Sequence, residues 1–600
     1  MKNVKINDMV IRFANVNGTG SASANDMFAK AIFRMGIPVS PKNIFPSNIQ
    51  GLPTWFEVRI NGKGYLGRRD GIDVMVGVNP HTLKRDIASV QSGGYFIYDS
   101  SRKLHAEYMR EDIHYLGIPM MEMCMEHYSD PRHQQLFKNI VYVGALVALL
   151  NMDMEVVKNI IREQFAKKEK LIPPNHLALD LGFNYMVEHF DCPIEFQVEK
   201  MNGVGDKILI EGNAATALGA IYGGATVMAW YPITPSTSVA KSFETYCKKL
   251  RIDPVTQEKK YAFVQAEDEL AAVGMVIGAT WNGARAFTST SGPGISLMSE
   301  FIGLAYFAEI PAVIVNVQRG GPSTGMPTRT QQADILSTAY ASHGDKKHML
   351  LFPSTPTECF EMTAQAFDLA DHFQTPVFLM SDLDLGMNNH LSDPLKWDDN
   401  RKYNLGKVMS ADDLETKEFG RYLDVDNDGV CYRTIPGTHP TKGSFFTRGT
   451  SRDEYARYTE DGKVYARVMR RIRKKWETAK SHVPAPEFYQ KENKSNQGII
   501  FFGTTTYAAL EAMDMMKEQG LQMDSMRIRA LPFNQEVADF ISSHDELFVI
   551  EQNQDAQFRS LLINELEVNP SKLVPILNND GMPITANNIF NQITKGILVN

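Results

Sequence analysis

Several short runs of this chain combine residue types and spacings that could do chemistry. In Trp230-Tyr231-Pro232-Ile233-Thr234-Pro235-Ser236 two prolines bracket the hydroxyl of Thr234. Proline fixes the local backbone, so the run reads as a rigid loop presenting Thr234 at the end of a strand. An N-capping turn would account for the same hydroxyls without a ligand. Further on, Gln265-Ala266-Glu267-Asp268-Glu269 puts carboxylates where a strand gives way to an Ala- and Gly-rich helix. A helix N-terminus stabilises such an anion. Glu267, at the strand end, is the preferred acid and Glu269 its rival.

Two more runs follow strands. Ser289-Thr290-Ser291-Gly292-Pro293-Gly294 lacks GxSxG and a positioned histidine, so Ser291 reads as a pocket-loop hydroxyl and not as a nucleophile. Gly292 lets a ligand come close. The segment from Gln318 to Gln332 is rich in Gly and Pro and carries Arg319, Thr328 and Arg329. Guanidiniums in such a loop suit a carboxylate or a phosphate. Three strand ends with a hydroxyl, a carboxylate and arginines resemble one convergent site.

Other runs promise less. Asn17-Gly18-Thr19-Gly20-Ser21-Ala22-Ser23 follows a strand and opens a helix, but Ser23 stands where a dinucleotide loop has its third glycine. A tight turn without a ligand serves as well. Asp424-Val425-Asp426-Asn427-Asp428-Gly429 starts like a calcium loop, yet the twelfth position is Ile435 and not glutamate, so a polar turn is expected. The helix over 464–480 is basic. It reads as a solvated helix with a Val468/Ile472 stripe, or as a phosphate face.

These runs need a scaffold. At about 150 residues per domain, 600 residues suggest roughly four domains. Short apolar strands alternate with helical patterns over 1–190 and 205–395. A polar, strand-poor connecting region with the basic helix covers 396–489, and an α/β pattern resumes over 490–600. The expected class is α/β with several parallel-sheet domains. With 43% hydrophobic and 22% charged residues, a mostly disordered chain is excluded. The net charge of −8 argues against a nucleic-acid binder. Five scattered cysteines, with no CxxC, offer neither a zinc site nor a local iron–sulfur cluster, and no metal ligand set is assigned on this chain. The longest apolar run, Ile140 to Leu150, is too short to cross a bilayer, and no signal peptide is evident. The expectation is a cytoplasmic protein with no membrane contact.

The runs 231–237 (YPITPST), 265–279 (QAEDELAAVGMVIGA), 288–298 (TSTSGPGISLM) and 318–334 (QRGGPSTGMPTRTQQAD) resemble the α subunit of 2-oxoacid:ferredoxin oxidoreductases. Residues 1–190, including 45–60 (FPSNIQGLPTWFEVRI), resemble the γ portion of the fused type. Nearly the whole chain is thus similar to a γ–α fusion, and most similar to that of the enzymes acting on 2-oxoglutarate. The resemblance implies a γ-type domain, a pyrimidine-binding thiamine diphosphate domain and a transketolase C-terminal-like domain. It implies oxidative decarboxylation of a 2-oxoacid with coenzyme A as co-substrate and ferredoxin as electron acceptor, or the reverse carboxylation. A β subunit would share thiamine diphosphate with this chain and carry Mg2+ and a [4Fe-4S] cluster, in a dimer of αβ units.

The resemblance also implies roles. Glu267 would hydrogen-bond the cofactor's aminopyrimidine, with Ser291 and Gly292 beside the cofactor. Thr234 would meet the oxoacid end of the substrate. Arg319 and Thr328 would bind a substrate carboxylate, and Arg329 would add charge for the second carboxylate of 2-oxoglutarate. In the loop Gly449–Tyr455, Arg452 stands where the family usually has histidine. The alternatives are the same enzyme acting on pyruvate or branched-chain 2-oxoacids, a non-catalytic assembly subunit, and a nicotinamide dehydrogenase read from residues 17–23.

Overall fold

The computed structural model describes residues 4–46, 52–489 and 495–599. Residues 47–51 of the γ-like run lie outside the described residues. The chain forms two compact units.

The first comprises Met1–Leu209, Asn388–Asp393 and Thr585–Asn588. Its sheet holds β1 (Asp8–Val16), β2 (Val39–Ile44), β3 (Pro53–Asn61), β4 (Ile72–Gly77), β5 (Val90–Asp99) and β6 (His114–Ile118), in the order β2-β3-β1-β4-β5-β6. The run β1-β4-β5-β6 is parallel, as the strand–helix alternation predicts. The β2–β3 pair is antiparallel and was not foreseen. Helix α1 (Ser21–Arg34) follows β1, and α2 (Pro131–Leu149) and α3 (Ile172–His189) come later. The apolar run 140–150 lies in and just past α2 and is buried, which explains its hydrophobicity without a membrane. Glycines let α2 and α3 touch: a Cβ on Gly144 would sit 2.0 Å from the Leu179 carbonyl oxygen, and one on Gly182 would sit 1.9 Å from that of Val141. Among the described residues no helix is long and apolar enough to cross a membrane.

The second unit comprises Ile210–Met387, Pro394–Ile584 and Ile589–Asn600. Its larger sheet uses β7 (Val227–Trp230), β8 (Ala262–Gln265), β9 (Ala286–Thr290), β10 (Ala312–Gln318), β11 (Met349–Leu351) and β12 (Pro376–Asp382). The order β8-β7-β9-β10-β12-β11 is parallel throughout. Helices α4 (Gly212–Tyr222), α5 (Thr237–Leu250), α6 (Glu269–Trp281) and α7 (Pro356–Phe373) connect it. A second sheet is built from β13 (Glu487–Tyr489), β14 (Gln497–Phe501), β15 (Asp524–Arg527), β17 (Glu546–Glu551) and β18 (Leu573–Leu577). One C-terminal strand, β16 (Ala530–Leu531), leaves it and pairs antiparallel with β11 of the larger sheet. The C-terminal block and the central block therefore share one body.

The connecting region carries α8 (Gly462–Ala479). Its Val468 and Ile472 are buried as expected, but so is Lys475, and the Arg471 side chain is only 8% exposed. They meet Glu309, which is 1% exposed: Arg471 Nη1 and Lys475 Nζ each approach its Oε2 at 2.8 Å. Burial opposes this carboxylate's charge, yet Arg471 and Lys475 hold its pKa well below the ordinary value. Arg452, the departure from the family pattern, is wholly buried with its guanidinium over Tyr422 and Phe307, 3.8 and 4.2 Å from the ring centroids. Stacked between rings, it has a structural role here.

A second buried ion cluster ties α7 to β15. Glu358 accepts from Arg527 at 2.6 and 2.7 Å and from Arg529 at 3.1 Å. Burial alone would raise its pKa; the arginines outweigh that and hold it at about 2, against an ordinary 4.5. A carboxylate whose pKa falls on folding stabilises above its unfolded value and loses that contribution as pH falls. Glu358→Gln is therefore expected to cost on the order of 3 kcal/mol at neutral pH. In chemical unfolding followed across pH, that deficit should shrink as pH drops from 4.5 toward 2. A deficit independent of pH would refute the ionic account.

Candidate active site

Because β8, β7, β9 and β10 are adjacent and parallel, the loops after them emerge at one edge of the sheet. That carboxyl edge is where open α/β sheets bind ligands. The four runs singled out in the sequence are these four loops.

Arg319, just past β10, is 8% exposed. Its Nη1 donates to the Thr234 carbonyl at 2.7 Å, so the loop after β7 orients the guanidinium. Burial lowers the arginine's pKa, while the charges of Asp334 and Glu269 oppose that shift. Asp334 closes the arginine loop. Its backbone N–H donates to Gln318 Oε1 at 3.1 Å and its Oδ2 accepts from Asn316 Nδ2 at 3.1 Å. Burial pushes its pKa up to about 6. A Cβ on Gly292 would lie 2.7 Å from Asp334 Oδ1, so the glycine makes room for the carboxylate.

Strand β8 ends at Gln265, two residues before the position expected for its terminal acid. Asp268 caps α6, accepting from the Ala271 N–H at 2.6 Å. Glu267 is left exposed. Glu269 becomes the first residue of α6 and is 5% exposed, its Cγ 2.8 Å from where a Gly294 Cβ would be. Glu269 is thus the enclosed carboxylate whose charge acts on Arg319, while Glu267 is exposed at the same edge of the sheet. The cap decides it: an N-cap side chain turns back toward its helix, and the next residue enters the first turn.

The other expected residues divide. In the loop after β7, Ser236 and Thr237 do the turn's work, donating to the Ile233 carbonyl at 3.2 and 3.1 Å. The half-buried Thr234 contributes its carbonyl to Arg319. Ser291 is fully buried with a hydroxyl that has no hydrogen-bond partner. A cleft of about 680 Å3 is lined by Gly292, Ser296, Arg319, Asp334, Asn553 and Gln557 among others. Thr234, Glu267, Glu269, Ser291, Thr328 and Arg329 do not line it. Arg329 Nη1 turns onto the Thr328 carbonyl at 2.7 Å, and its side chain packs beside Gly581.

Asp334, Asn553 and Gln557 were not foreseen. Asp334 had a signal, being the acid that ends a polar run and precedes a helix. Asn553 and Gln557 lie more than 200 residues from the loop they meet.

The weaker runs resolve into turns. The 17–20 run is a glycine turn, with positive φ at Gly18 and Gly20 and Thr19 Oγ1 donating to the Val16 carbonyl. Asp424 caps its own loop through the N–H groups of Asp428 and Gly429 at 3.1 and 3.0 Å. Among the described residues no group of three or more His, Cys, Asp or Glu could hold a metal ion.

A family model described as pyruvate flavodoxin/ferredoxin oxidoreductase, thiamine diphosphate-binding, matches residues 218–429. One described as pyruvate ferredoxin/flavodoxin oxidoreductase matches residues 10–185. The 2-oxoglutarate synthase subunit KorA of Methanothermobacter thermautotrophicus is 33% identical over 358 residues, covering 59% of this chain and 89% of that protein. This chain belongs to the 2-oxoacid:ferredoxin oxidoreductase family. Subunit alpha of 2-oxoacid:ferredoxin oxidoreductase 2 of Aeropyrum pernix is 28% identical, with 96% of each chain covered. The solved 2-oxoglutarate:ferredoxin oxidoreductase from Magnetococcus marinus, with 2-oxoglutarate, coenzyme A and succinyl-CoA bound, matches at a TM-score of 0.89 and 28% identity, over 98% of this chain and all of that one. The protein is an oxidoreductase subunit of this family, built on the α/β fold with parallel sheets that its sequence implies.

Asp334 has a thermodynamic signature. A carboxyl whose pKa is raised on folding contributes stability that is complete below its unfolded value and lost as pH rises through the folded one. That window runs from 3.8 to about 6. Asp334→Asn should therefore melt with wild type below pH 4 and above it at pH 7. Equal melting temperatures throughout would show that the carboxyl is not desolvated.

Proposed function

We propose that this chain is the γ–α subunit of a 2-oxoglutarate:ferredoxin oxidoreductase. The complex would convert 2-oxoglutarate and coenzyme A to succinyl-CoA and carbon dioxide, passing two electrons to ferredoxin, or run the reverse carboxylation. The observation that carries the reading is Arg319, a buried guanidinium at the wall of a cleft, held there by the Thr234 carbonyl. A buried arginine recognises a carboxylate by paired N–H donors. The names of the relatives add 2-oxoglutarate as substrate.

The residues fit thiamine diphosphate. Glu269 is a carboxylate enclosed at a helix start, and Ser291 offers a buried hydroxyl without a partner. Bound thiamine diphosphate supplies the carbon nucleophile for the 2-oxoacid carbonyl and a sink for the electrons released on decarboxylation. Glu269 would hold its pyrimidine ring and favour the tautomer that takes up a proton. Arg319 would fix the substrate carboxylate, and Thr234 would border the oxoacid end. Water exclusion by the close-packed 291–294 loop would strengthen these charges. A β subunit would complete the site with Mg2+ and the [4Fe-4S] cluster, in a dimer of αβ units.

A second reading, the same enzyme with pyruvate or a branched-chain 2-oxoacid, draws on Arg329 lying outside the cleft wall. That leaves Arg319 as the guanidinium of the cleft, enough for one carboxylate.

The test is co-expression with the candidate β subunit and coenzyme A-dependent reduction of a low-potential acceptor with 2-oxoglutarate, pyruvate and 2-oxoisovalerate. Glu269→Ala should lower kcat at least about 100-fold, and Glu267→Ala should change it less than about threefold. Arg319→Met should raise the KM for the oxoacid about tenfold or more. A folded complex, loaded with cofactor and cluster but inactive on every 2-oxoacid, would overturn the proposal in favour of an assembly subunit. Glu267→Ala as damaging as Glu269→Ala would return the role to the exposed acid.

A further inference from the structure

The arginine loop cannot hold itself. Residues 319–334 include Gly320, Gly321, Gly325, Pro322 and Pro327 and form no helix or strand. The internal bonds are few. Gly320 N–H donates to the Arg329 carbonyl at 3.0 Å, Met326 N–H to that of Gly320 at 2.8 Å, and Gly321 N–H to Gln331 Oε1 at 2.9 Å. Buried backbone groups must nevertheless be paired.

The C-terminal block supplies the missing partners. Gln332 N–H donates to the Gln552 carbonyl at 2.8 Å, and Asn553 Nδ2 donates to the Gln332 carbonyl at 3.0 Å. The Gln332 side chain answers from the other side. Its Oε1 accepts from the Gln552 N–H at 3.2 Å, and its Nε2 donates to the Phe502 carbonyl at 3.3 Å. One residue on, Gln557 Nε2 donates to the Ala333 carbonyl at 2.7 Å, and its Oε1 accepts from the Leu336 N–H at 3.2 Å. The carbonyls of both Gln332 and Ala333 are thus held by amide side chains from the 551–557 segment.

Asn553 uses both its donors and its acceptor. Beyond Gln332, its Nδ2 donates to Glu551 Oε2 at 2.7 Å and its Oδ1 accepts from the Gln557 N–H at 3.2 Å. Asparagine alone among the residue types of this size carries donor and acceptor in that arrangement. Both Asn553 and Gln557 also line the cleft that Arg319 faces. The loop is therefore anchored at one end by β10, through Gln318, and at the other by two amides of a distant segment. Arg319 lies between these anchors.

We propose that Asn553 and Gln557 are positioning residues for the 2-oxoacid. By fixing the base of the 319–334 loop, they hold Arg319 where it meets the substrate carboxylate. The C-terminal block is then part of the substrate site as well as of the assembly. This rests on the reading of Arg319 as the carboxylate ligand. Misplacing such a group by about 1 Å is enough to weaken its function substantially.

The test uses the complete complex with the β subunit, in steady state at saturating coenzyme A and acceptor. Gln557→Met keeps the side-chain volume and removes both hydrogen bonds. Gln557→Glu keeps the acceptor for the Leu336 N–H and loses the donor to Ala333. Asn553→Asp keeps the shape and loses the donor to Gln332. Each should raise the KM for 2-oxoglutarate about tenfold, with kcat changed less than about threefold and the KM for coenzyme A unchanged. Gln557 is half-buried at the cleft wall, so its variants decide the matter if Asn553→Asp fails to assemble. In an Arg319→Met background, Gln557→Met should raise KM no further, because its effect passes through the guanidinium. Additive effects, or an unchanged KM in the folded Gln557 variants, would overturn the proposal. Failure of the Arg319 reading would show differently: Arg319→Met itself would leave KM unchanged, and the clamp would then have no ligand to position.

Discussion

The structure around the site depends on one constraint: a buried backbone group must have a hydrogen-bond partner. A loop rich in glycine and proline can follow tight paths, but it loses the regular pairing that helices and strands provide. The 319–334 loop recovers that pairing from Gln332, Gln552, Asn553 and Gln557. Everything that brings the C-terminal block onto the central sheet serves the same end. Strand β16 extends the larger sheet through β11, and Glu358 with Arg527 and Arg529 closes the seam beside α7. Loosening either joint would take these partners from the carbonyls of Gln332 and Ala333.

The same constraint explains the cation-rich interior of the connecting region. Glu309 follows the helix Ser299–Ala308 with a left-handed backbone and is enclosed. A lone buried carboxylate would be costly. Arg471 and Lys475 come to it from α8, and Arg452 approaches to 3.5 Å while stacked on its two aromatic rings. The basic character of α8 is therefore internal on one side and solvated on the other, where Arg467 pairs with Glu454 at 3.1 Å. A phosphate would find the buried cations of this helix already engaged.

Much of this was legible in the residues themselves. Alternation of apolar strands and helices announced parallel sheets, and three strand ends with complementary groups announced one site. Parallel adjacency then gathers them, which spacing along the chain cannot reveal. Which of Glu267 and Glu269 is enclosed was not legible, because it turns on a single cap. With Asp268 accepting from Ala271, Glu269 enters the first turn of α6 and Glu267 is left exposed before it. Arg329, whose charge suits a second carboxylate, also donates to the carbonyl of its own neighbour, Thr328, a contact that its place in the run does not announce. Asn553 and Gln557 were silent because amides carry no charge signature, and their partners are more than 200 residues away.

Asp334 shows how these levels meet. Its carboxyl is raised in pKa because burial withholds water, yet it stays beside Arg319, whose charge pulls the other way. Two carboxylates, Asp334 and Glu269, bear on one guanidinium from different loops. The charges of both favour the guanidinium's charged form against the burial that opposes it. Gly292 leaves the space that Asp334 fills, and Asn316 donates to it, so the acid at the end of the loop is fixed by residues of two other strand ends.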